Sequence, residues 1–550
     1  MGEIGIFIQQ SFPFGAFGPR QWSLDEMGRL FRWLRTMGYD AASFMLLPIL
    51  RQESCERTIL EQGGMYHAGL IAPPPFEPGF LHCPADRYLG TPEGLARAAF
   101  CREQFRLCRE SGLKVWQMVT MTLGAPGYLE DHPELAAVVG SETFCEGTAY
   151  CPSRPKGLEH LLEFHRTQIE YLEPDGVILF PRDPGGCGCS LCQPQGEAIA
   201  RTSRAFCQMI RSAWPDMPLV FLSWHIKDHE APQIAAELPK DVRVFESPRI
   251  HALDVPAEEY DRRVRTWREH GRRVGGWLET QENPTALLPT VYPRRVAATI
   301  ERMKELGVQD LWQTSMQNPY LFPLNFWMTP KLWTGATLDA LVREFLERSF
   351  GSDALDAGLA WVEATERAWD KVQTLTQYGA GFLGLFVVTY PERLLPEKMI
   401  RDGVPETVRT EVVEAMEAAA RANEAAQQLA DQIRTFHALE ANAIAVSAEV
   451  FMHRVAMRRA KLDVLDALHA GDADRAITAW PAVRDACQRM VAAARSVPNT
   501  EVLVHHWRRL GLLPDRLRTL EQHLRELAER KTFRPVHQPL FMGELYKDKR

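Results

Sequence analysis

The sequence predicts an α/β barrel followed by an all-α region, and two patterns in the 550-residue chain lead to this fold class. In the first 350 residues, eight short apolar runs alternate with amphipathic segments whose apolar residues recur every three or four positions. From residue 336 onward, long stretches rich in Ala, Glu, Gln and Arg replace this alternation. Eight strand–helix repeats within about 320 residues are typical of a closed (β/α)8 barrel.

Each predicted strand is short, apolar and followed by Gly, Pro or polar residues. In chain order the strands are Glu3–Gln9, Ala41–Leu46, Lys114–Met121, Gly176–Phe180, Leu219–Ser223, Val242–Glu246, Val274–Glu279 and Asp310–Thr314. The clearest helices between them are Leu24–Met37, Thr91–Ser111, Lys156–Tyr171, Glu197–Trp214, Glu258–His270 and Tyr292–Leu306. An open, doubly wound sheet is the alternative fold. The Gly-rich turn that usually marks its nucleotide site does not follow the first strand.

The region after the barrel has the composition of long helices, in which Gly is scarce. The predicted helices are Leu338–Ser349, Ala354–Leu375, Glu406–Phe436, Leu439–Ala470, Asp474–Arg495 and Leu513–Arg530. They predict an antiparallel bundle packed beside the barrel, with a structural role or as the interface of a homodimer. We therefore divide the chain into a catalytic barrel at 1–335, a helical domain at 336–531 and an extended tail at 532–550.

Charge and composition exclude several classes of function. The net charge is −8, and no block of basic residues offers a surface for nucleic acid. The chain contains no run of about 18 apolar residues, the length that would span a membrane. The first residues also lack the basic and apolar regions of a signal peptide. Eleven cysteines scattered over a long chain are not a disulfide framework, so we expect a cytoplasmic protein.

Acidic residues follow several predicted strands, at the barrel end where (β/α)8 enzymes carry their active sites. Strand four leads into Arg182 and Asp183, strand six ends in Glu246, and strand seven leads through Glu279 to Glu282. Cleavage of a glycosidic bond needs two carboxyl groups, one to protonate the leaving oxygen and one as base or nucleophile. We expect Asp183 to be the general acid, with the second carboxylate on strand six or seven.

Aromatic, amide and basic side chains at the same strand ends are candidates for a sugar site. Rings stack on sugar faces, amides bind hydroxyls, and guanidinium groups bind carboxylates. The candidates are Arg182, Trp224, His225, Arg249, Trp277, Trp312, Gln313, Asn318 and Tyr320. The arginines favour an acidic sugar such as a uronic acid. The alternative is that they neutralise the neighbouring carboxylates.

Four cysteines form a second motif. Cys187, Cys189 and Cys192 make a C-x-C-x2-C pattern after strand four, and Cys151 lies before the preceding helix. Three or four thiolates this close resemble a structural zinc site, which would fix the loop that carries Asp183. The alternative is reduced thiols, or a disulfide formed on oxidation. Because all-thiolate sites are generally closed, we expect no cofactor in catalysis.

Together these motifs resemble the barrel of glycoside hydrolases of the α-glucuronidase and β-hexosaminidase-like superfamily. Within it they are most similar to uncharacterised relatives with a C-x-C-x2-C loop after strand four. Cys151-Pro-Ser, Asp175-Gly and the Gly-rich cysteine loop ending at Cys192 carry the resemblance. Asn318-Pro-Tyr-Leu and Leu338–Gly351 are similar to the superfamily's junction between barrel and helical domain. The resemblance implies hydrolysis of O-glycosyl bonds and places an acid at the position of Asp183.

The sequence departs from the hexosaminidases at one informative point. Those that use the acetamido group of their substrate carry an adjacent Asp-Glu pair after strand four, whereas this chain has Arg182-Asp183-Pro184. We therefore predict an exo-acting hydrolase of a terminal, acidic sugar rather than an N-acetylhexosaminidase-like enzyme. A non-catalytic carbohydrate-binding protein on the same barrel would fit these residues too, as would a metal-dependent enzyme that uses His225, His229 or His251.

Overall fold

Eight parallel strands close into a barrel in the order β1 to β8. The computed structural model describes residues 2–8, 23–45, 92–124, 129, 132–138, 149–181, 187–224, 226–248, 257–280, 291–315, 324–374, 397–495, 524–526 and 528–530. The strands are β1 Ile4–Ile8, β2 Ala41–Met45, β3 Lys114–Thr120, β4 Gly176–Phe180, β5 Leu219–Leu222, β6 Arg243–Glu246, β7 Val274–Glu279 and β8 Asp310–Ser315. Each strand pairs with its neighbour in the chain and β8 pairs with β1, so the predicted (β/α)8 barrel is confirmed.

Seven described helices accompany the strands. They are α1 Leu24–Met37, α2 Pro92–Glu110, α3 Pro155–Leu172, α4 Gln195–Ala213, α5 Ala231–Glu237, α6 Ala257–Glu269 and α7 Pro293–Glu305. The bounds of α1 follow from local chemistry. Ser23 and Glu26 form a reciprocal capping box at its start, and Gly38 ends it with a φ of +103°. Proline stands in the first turn of α3, α5 and α7, where its missing N–H costs no helical hydrogen bond.

Aromatic rings fill the barrel interior. The Trp277 and Trp312 rings stack with centroids 6.2 Å apart, and Trp116 meets Trp312 edge-on at 5.7 Å. These rings fit because glycines stand opposite them. A Cβ atom on Gly5 would lie 2.2 Å from the Trp312 ring, and one on Gly176 would lie 2.5 Å from the Trp116 ring. The close packing of the interior therefore depends on the absence of a side chain at both positions.

Charged side chains close the N-terminal end of the barrel. The fully buried Asp310 carboxylate accepts hydrogen bonds from Arg273 Nη2 at 2.6 Å and from the Glu3 backbone N–H at 2.8 Å. Arg243 Nη1 lies 3.4 Å from the same carboxylate, and its guanidinium covers the Trp116 ring. Burial raises the pKa of Glu3, against the opposing pull of Arg243. This end of the barrel is a paired ionic network.

Helices alone follow the barrel in the described part of the chain, as predicted. They are α8 Leu324–Trp333, α9 Leu338–Phe350, α10 Leu355–Thr374, α11 Glu397–Asp402, α12 Glu406–Ile433, α13 Ala438–Ala470 and α14 Ala473–Arg495. Of the predicted Leu513–Arg530 helix, the described residues 524–526 and 528–530 are helical. None of the helices that the structure describes is long and apolar enough to cross a membrane. The boundaries at 335/336 and 531/532 stay predictions.

The helical region packs against the barrel through α7. Glu366 of α10 accepts hydrogen bonds from the backbone N–H groups of Arg294 at 2.7 Å and Arg295 at 3.1 Å. The carboxylate thus caps the first turn of a barrel helix, whose N–H groups have no partner within the helix. Beside it, the Tyr292 and Trp369 rings meet edge-on at 6.3 Å. One hydrophobic core runs through both regions.

Candidate active site

The strand register defines which side chains face the barrel interior. Packing places Trp116, Phe245 and Trp277 inside, and side chains alternate between the two faces along each strand. By this parity, the described inner residues nearest the C-terminal end are Thr120, Phe180, Trp224, Ser247 and Thr314. We call these five the mouth residues. Because barrel enzymes react at this end, they outline the described part of the candidate active site.

The three tryptophans predicted to contact sugar lie at different depths. Trp224 is a mouth residue whose ring meets Phe180 edge-on at 6.5 Å. Trp277 lies deeper on β7 and is 2% exposed. Trp312 is completely buried and stacks on Trp277. A substrate at the mouth is therefore nearest to Trp224, while the structure assigns Trp312 to the packed interior.

Gln313 lies on the outer face of β8, one residue after the inward Trp312. Its Oε1 accepts a hydrogen bond from the Tyr39 hydroxyl, and its Nε2 donates one to Thr280 Oγ1. Asn325 joins the group by donating from Nδ2 to the Thr280 carbonyl at 2.9 Å. The predicted role of Gln313 in binding substrate hydroxyls does not fit this geometry, because its amide is buried and points away from the mouth.

Glu246 is also held away from the mouth. It follows the inward Phe245, and its carboxylate is 1% exposed between β6 and α6. Arg263 Nε and Trp267 Nε1 each donate to it at 2.9 Å, and the Ser223 hydroxyl donates as well. The buried ion pair with Arg263 gives Glu246 a structural role. Of the residues predicted as the second carboxylate, this geometry therefore favours Glu279 and Glu282, which come at and after the end of β7.

Glu279 is the last residue of β7, and its Cα is paired with that of Thr314 on β8. Its backbone thus lies at the C-terminal end of the barrel. His229 lies in the turn that precedes α5. The remaining predicted site residues are outside the described part of the chain: Arg182, Asp183, His225, Arg249, His251, Glu282, Asn318 and Tyr320.

Two mouth hydroxyls were not among the residues predicted from the sequence. Thr120 Oγ1 and Thr314 Oγ1 are buried and have no hydrogen-bond partner among the described residues. A buried hydroxyl without a partner costs free energy, so each is a place where a ligand oxygen or a water molecule would bind favourably. Threonine at a strand end is common in strands of any kind. No sequence signal therefore singles these two out.

A buried histidine braces the end of β3. His165 Nε2 lies 2.8 Å from the Leu123 carbonyl and 3.1 Å from the Thr120 carbonyl, so it donates its proton to them. Burial lowers the pKa of His165 to about 4, against the opposing effect of these hydrogen bonds. The ring is neutral at pH 7 and fixes the backbone that presents Thr120 to the mouth.

The four cysteines of the C-x-C-x2-C motif and its upstream partner meet in one cluster. Their Sγ atoms all lie within 4.8 Å of one another. Cys151 Sγ lies 3.6 Å from Cys189 Sγ and 3.7 Å from Cys192 Sγ, and Cys187 completes the group. These distances are far longer than a disulfide bond of about 2.05 Å, so the residues are free thiols. The predicted cluster is confirmed, whereas its metal stays a prediction.

Comparison with known proteins supports the fold. No protein-family model matches the chain, and no curated protein matches it. A solved GH138 enzyme that targets the pectin rhamnogalacturonan II matches 98% of this chain and 70% of its own, with a TM-score of 0.56 and 9% identity. This likeness extends over the barrel and the helices after it.

Two further solved structures have lower TM-scores. An O-GlcNAc hydrolase of Thermobaculum terrenum matches 95% of this chain and 96% of its own, with a TM-score of 0.45 and 11% identity. A GH89 enzyme of Clostridium perfringens, solved with its substrate GlcNAc-α-1,4-galactose, matches 99% of this chain and 65% of its own. Its TM-score is 0.49 and its identity 12%. The likeness to the GH138 enzyme, at 9% identity, shows the fold alone, and the superfamily suggested by the motifs stays a prediction.

Proposed function

We propose that the protein is an exo-acting glycoside hydrolase that removes a terminal sugar from an O-glycosidic bond. The observation that carries the proposal is the match of 98% of the chain to an enzyme that acts on a pectin polysaccharide. Since one barrel fold hosts many functions, the proposal also depends on acids at the strand ends. Asp183 follows β4, and Glu279 and Glu282 come at and after the end of β7.

In the proposed mechanism Asp183 protonates the leaving oxygen, and Glu279 or Glu282 acts as base or nucleophile. Position 279 has the same strand parity as the inward Trp277, which favours Glu279. The buried ion pair between Glu246 and Arg263 supports the choice of a β7 carboxylate over Glu246. A carboxyl separation of about 5–5.5 Å would give retention of anomeric configuration, and one of about 6.5–9.5 Å would give inversion.

The proposed substrate is a glycoside with a terminal acidic sugar, such as a uronic acid. Arg182 and Arg249 are the candidates to bind the sugar carboxylate, because guanidinium forms paired hydrogen bonds with it. Trp224 would supply a stacking surface, and the open hydroxyls of Thr120 and Thr314 would bind ring hydroxyls. Further proposed contacts come from His225, Trp277, Asn318 and Tyr320.

Hydrolysis of a panel of aryl glycosides tests the proposal. The panel contains glucuronides, galacturonides and N-acetylhexosaminides, and the proteins are the wild type, Asp183→Asn and the control Asp216→Asn on an exposed turn. We expect release by the wild type and the control, with turnover lower by at least about 10²-fold in Asp183→Asn. Cleavage of N-acetylhexosaminides alone would favour a hexosaminidase-like enzyme instead.

Two different outcomes would change the assignment. Equal release by wild type and Asp183→Asn would move the general acid to another residue. Sugar binding in a calorimeter without release of any aglycone would favour the non-catalytic carbohydrate-binding protein. A metal-dependent enzyme would lose its activity on complete removal of metal ions, whereas catalysis by two carboxyl groups needs no metal in the chemical step.

The proposal includes a cytoplasmic location and a homodimer. The described cysteines are free thiols, which suits a reducing compartment. Cell fractionation with thiol counting tests this location. The helical region exposes Val413 and Met416 on one side of α12, an apolar surface that a second copy would cover. Light scattering of the wild type and Met416→Lys tests the dimer, and a single-chain mass for the wild type would contradict it.

A further inference from the structure

The spacing of the four cysteine sulfurs matches that of a tetrahedral metal site. Zinc binds thiolates at about 2.3 Å, which places the sulfurs of a regular tetrahedron about 3.8 Å apart. Two of the sulfur pairs here are 3.6 and 3.7 Å apart, and all four sulfurs lie within 4.8 Å of one another. We propose that Cys151, Cys187, Cys189 and Cys192 bind one Zn²⁺ ion in a structural tetrathiolate centre.

The surroundings of the cluster suit a bound cation with thiolate ligands. The Val138 backbone N–H donates to Cys187 Sγ at 3.3 Å. Cys192 Sγ donates to Ser153 Oγ at 3.1 Å as a thiol, and the serine hydroxyl would donate to the sulfur once it is a metal-bound thiolate. Such hydrogen bonds orient the ligands and stabilise their charge. Three of the four cysteines are buried, in a cluster that also holds Leu123, Ala137, Ala149 and Ala198. Cys189 is partly exposed and gives an ion a path to the site.

The proposed centre is structural rather than catalytic. Four protein ligands complete a tetrahedron and leave no position for water or substrate, as in structural zinc sites. Thiolates select soft or borderline cations over magnesium or calcium. The inference is therefore independent of the proposed glycosidase activity. A protein with no hydrolytic activity would bind the ion equally well.

The proposed centre joins segments that are distant in sequence. Cys151 precedes α3, whereas the other three ligands lie between β4 and α4. β4 ends at Phe180, and Cys187 is only seven residues further along. The barrel therefore fixes one end of this connection and the metal fixes the other. Asp183 lies on this connection in the sequence.

Elemental analysis of the full chain, purified after growth with added zinc, tests the inference. We expect about one zinc per chain in the wild type and less than about 0.1 in Cys189→Ser and Cys192→Ser. Cys108→Ser and Cys207→Ser are the matched controls, because both residues are buried thiols outside the cluster. They should retain the zinc. Equal metal content in all five proteins, or wild type without zinc, would overturn the inference.

A second measurement uses the wild type alone and so does not depend on the folding of any variant. Titration of one sample with a mercurial reagent should release one zinc as the four cluster thiols react. Co²⁺ added to a second sample, from which zinc has been removed with a chelator, should give the strong absorption of tetrahedral cobalt–thiolate coordination. Loss of the zinc should lower the melting temperature and increase protease cleavage between β4 and α4. A disulfide between these cysteines in mass spectra, the visible absorption of bound iron, or no Co²⁺ spectrum would overturn the assignment to zinc.

Discussion

The two ends of the barrel differ in whether their buried polar groups have hydrogen-bond partners. At the N-terminal end, the buried Asp310 carboxylate is hydrogen-bonded to Arg273 and to the backbone of Glu3. At the C-terminal end, the buried hydroxyls of Thr120 and Thr314 lack partners among the described residues. An end with paired groups adds stability, whereas an end with open groups retains the capacity to bind a ligand. The two ends of this barrel therefore differ in how completely their buried polar groups are paired among the described residues.

Removing the Asp310 carboxylate from the N-terminal end of the barrel should give the largest loss of stability. Asp310→Ala takes its carboxylate from the largely buried Arg243, which keeps only Glu3 nearby among the described residues, and from the half-exposed Arg273. Stranding the buried guanidinium should cost about 3 kcal/mol. Urea unfolding should show this loss in the free energy of unfolding. Asp216→Ala on an exposed turn is the control and should leave the urea midpoint unchanged. Equal midpoints for both variants would remove the stabilising role of the ionic network.

The buried His165, which holds the end of β3, should make the free energy of unfolding depend on pH. The pKa of His165 is about 4 in the folded protein and about 6.5 when unfolded, so the unfolded state binds the proton first as the pH falls. Stability should be complete above pH 6.5 and fall by up to about 3 kcal/mol between pH 6.5 and 4. In His165→Gln, whose amide still donates, this part of the decline should vanish. The same pH slope in both proteins would contradict the assignment.

Two glutamates at neighbouring strand ends should separate stability from turnover. Glu246→Gln weakens a buried ion pair and should lower stability by about 2 kcal/mol, with turnover within about twofold of wild type. Glu279→Gln should instead lower turnover by at least about 10²-fold at nearly unchanged stability. Denaturation and kinetics on the same preparations check both. The reverse pattern would make Glu246 the second carboxylate.

The smallest effect is expected at the hydroxyls of Thr120 and Thr314, which lack hydrogen-bond partners among the described residues. Thr314→Val keeps the shape of the side chain and removes a group without a partner among the described residues, so stability should stay the same or rise slightly. The value of kcat/KM should fall about 3- to 10-fold if that hydroxyl binds substrate. Thr202→Val is the control, because its hydroxyl already donates to the Ala198 carbonyl. It should lose some stability and keep its kcat/KM.

The strands were predictable because a strand buried on both faces is a continuous apolar run. β4 begins and ends at the predicted residues, and β2 differs from the prediction by one residue. Because both faces of such a strand are apolar, the sequence does not show which side chains point into the barrel. Glu246 and Gln313 were therefore predicted to face the mouth, although the structure has both on the outer face.

The cysteine cluster was predictable because three of its members are close in sequence. The open hydroxyls were not, since the lack of a partner is a property of the tertiary structure. Three helices, α5, α8 and α11, were also missing from the prediction. Pro232 and Pro330 weigh against a helix in the sequence pattern, yet Pro232 lies in the first turn of α5 and α8 includes Pro330.

The contact of Gly5 with the Trp312 ring, and of Gly176 with the Trp116 ring, has a consequence for which substitutions each pair can accept. With a Cβ atom at Gly5 or Gly176 only about two-thirds of the usual contact distance from a ring, neither glycine tolerates replacement while its tryptophan remains. A smaller residue at Trp312 or Trp116 would open space for a side chain at the glycine paired with it on the neighbouring strand. We therefore expect these pairs to change together among homologues, glycine with tryptophan or a larger residue with a smaller one. Gly176 and Trp116 would co-vary between consecutive strands, and Gly5 and Trp312 between the first and last strands of the barrel.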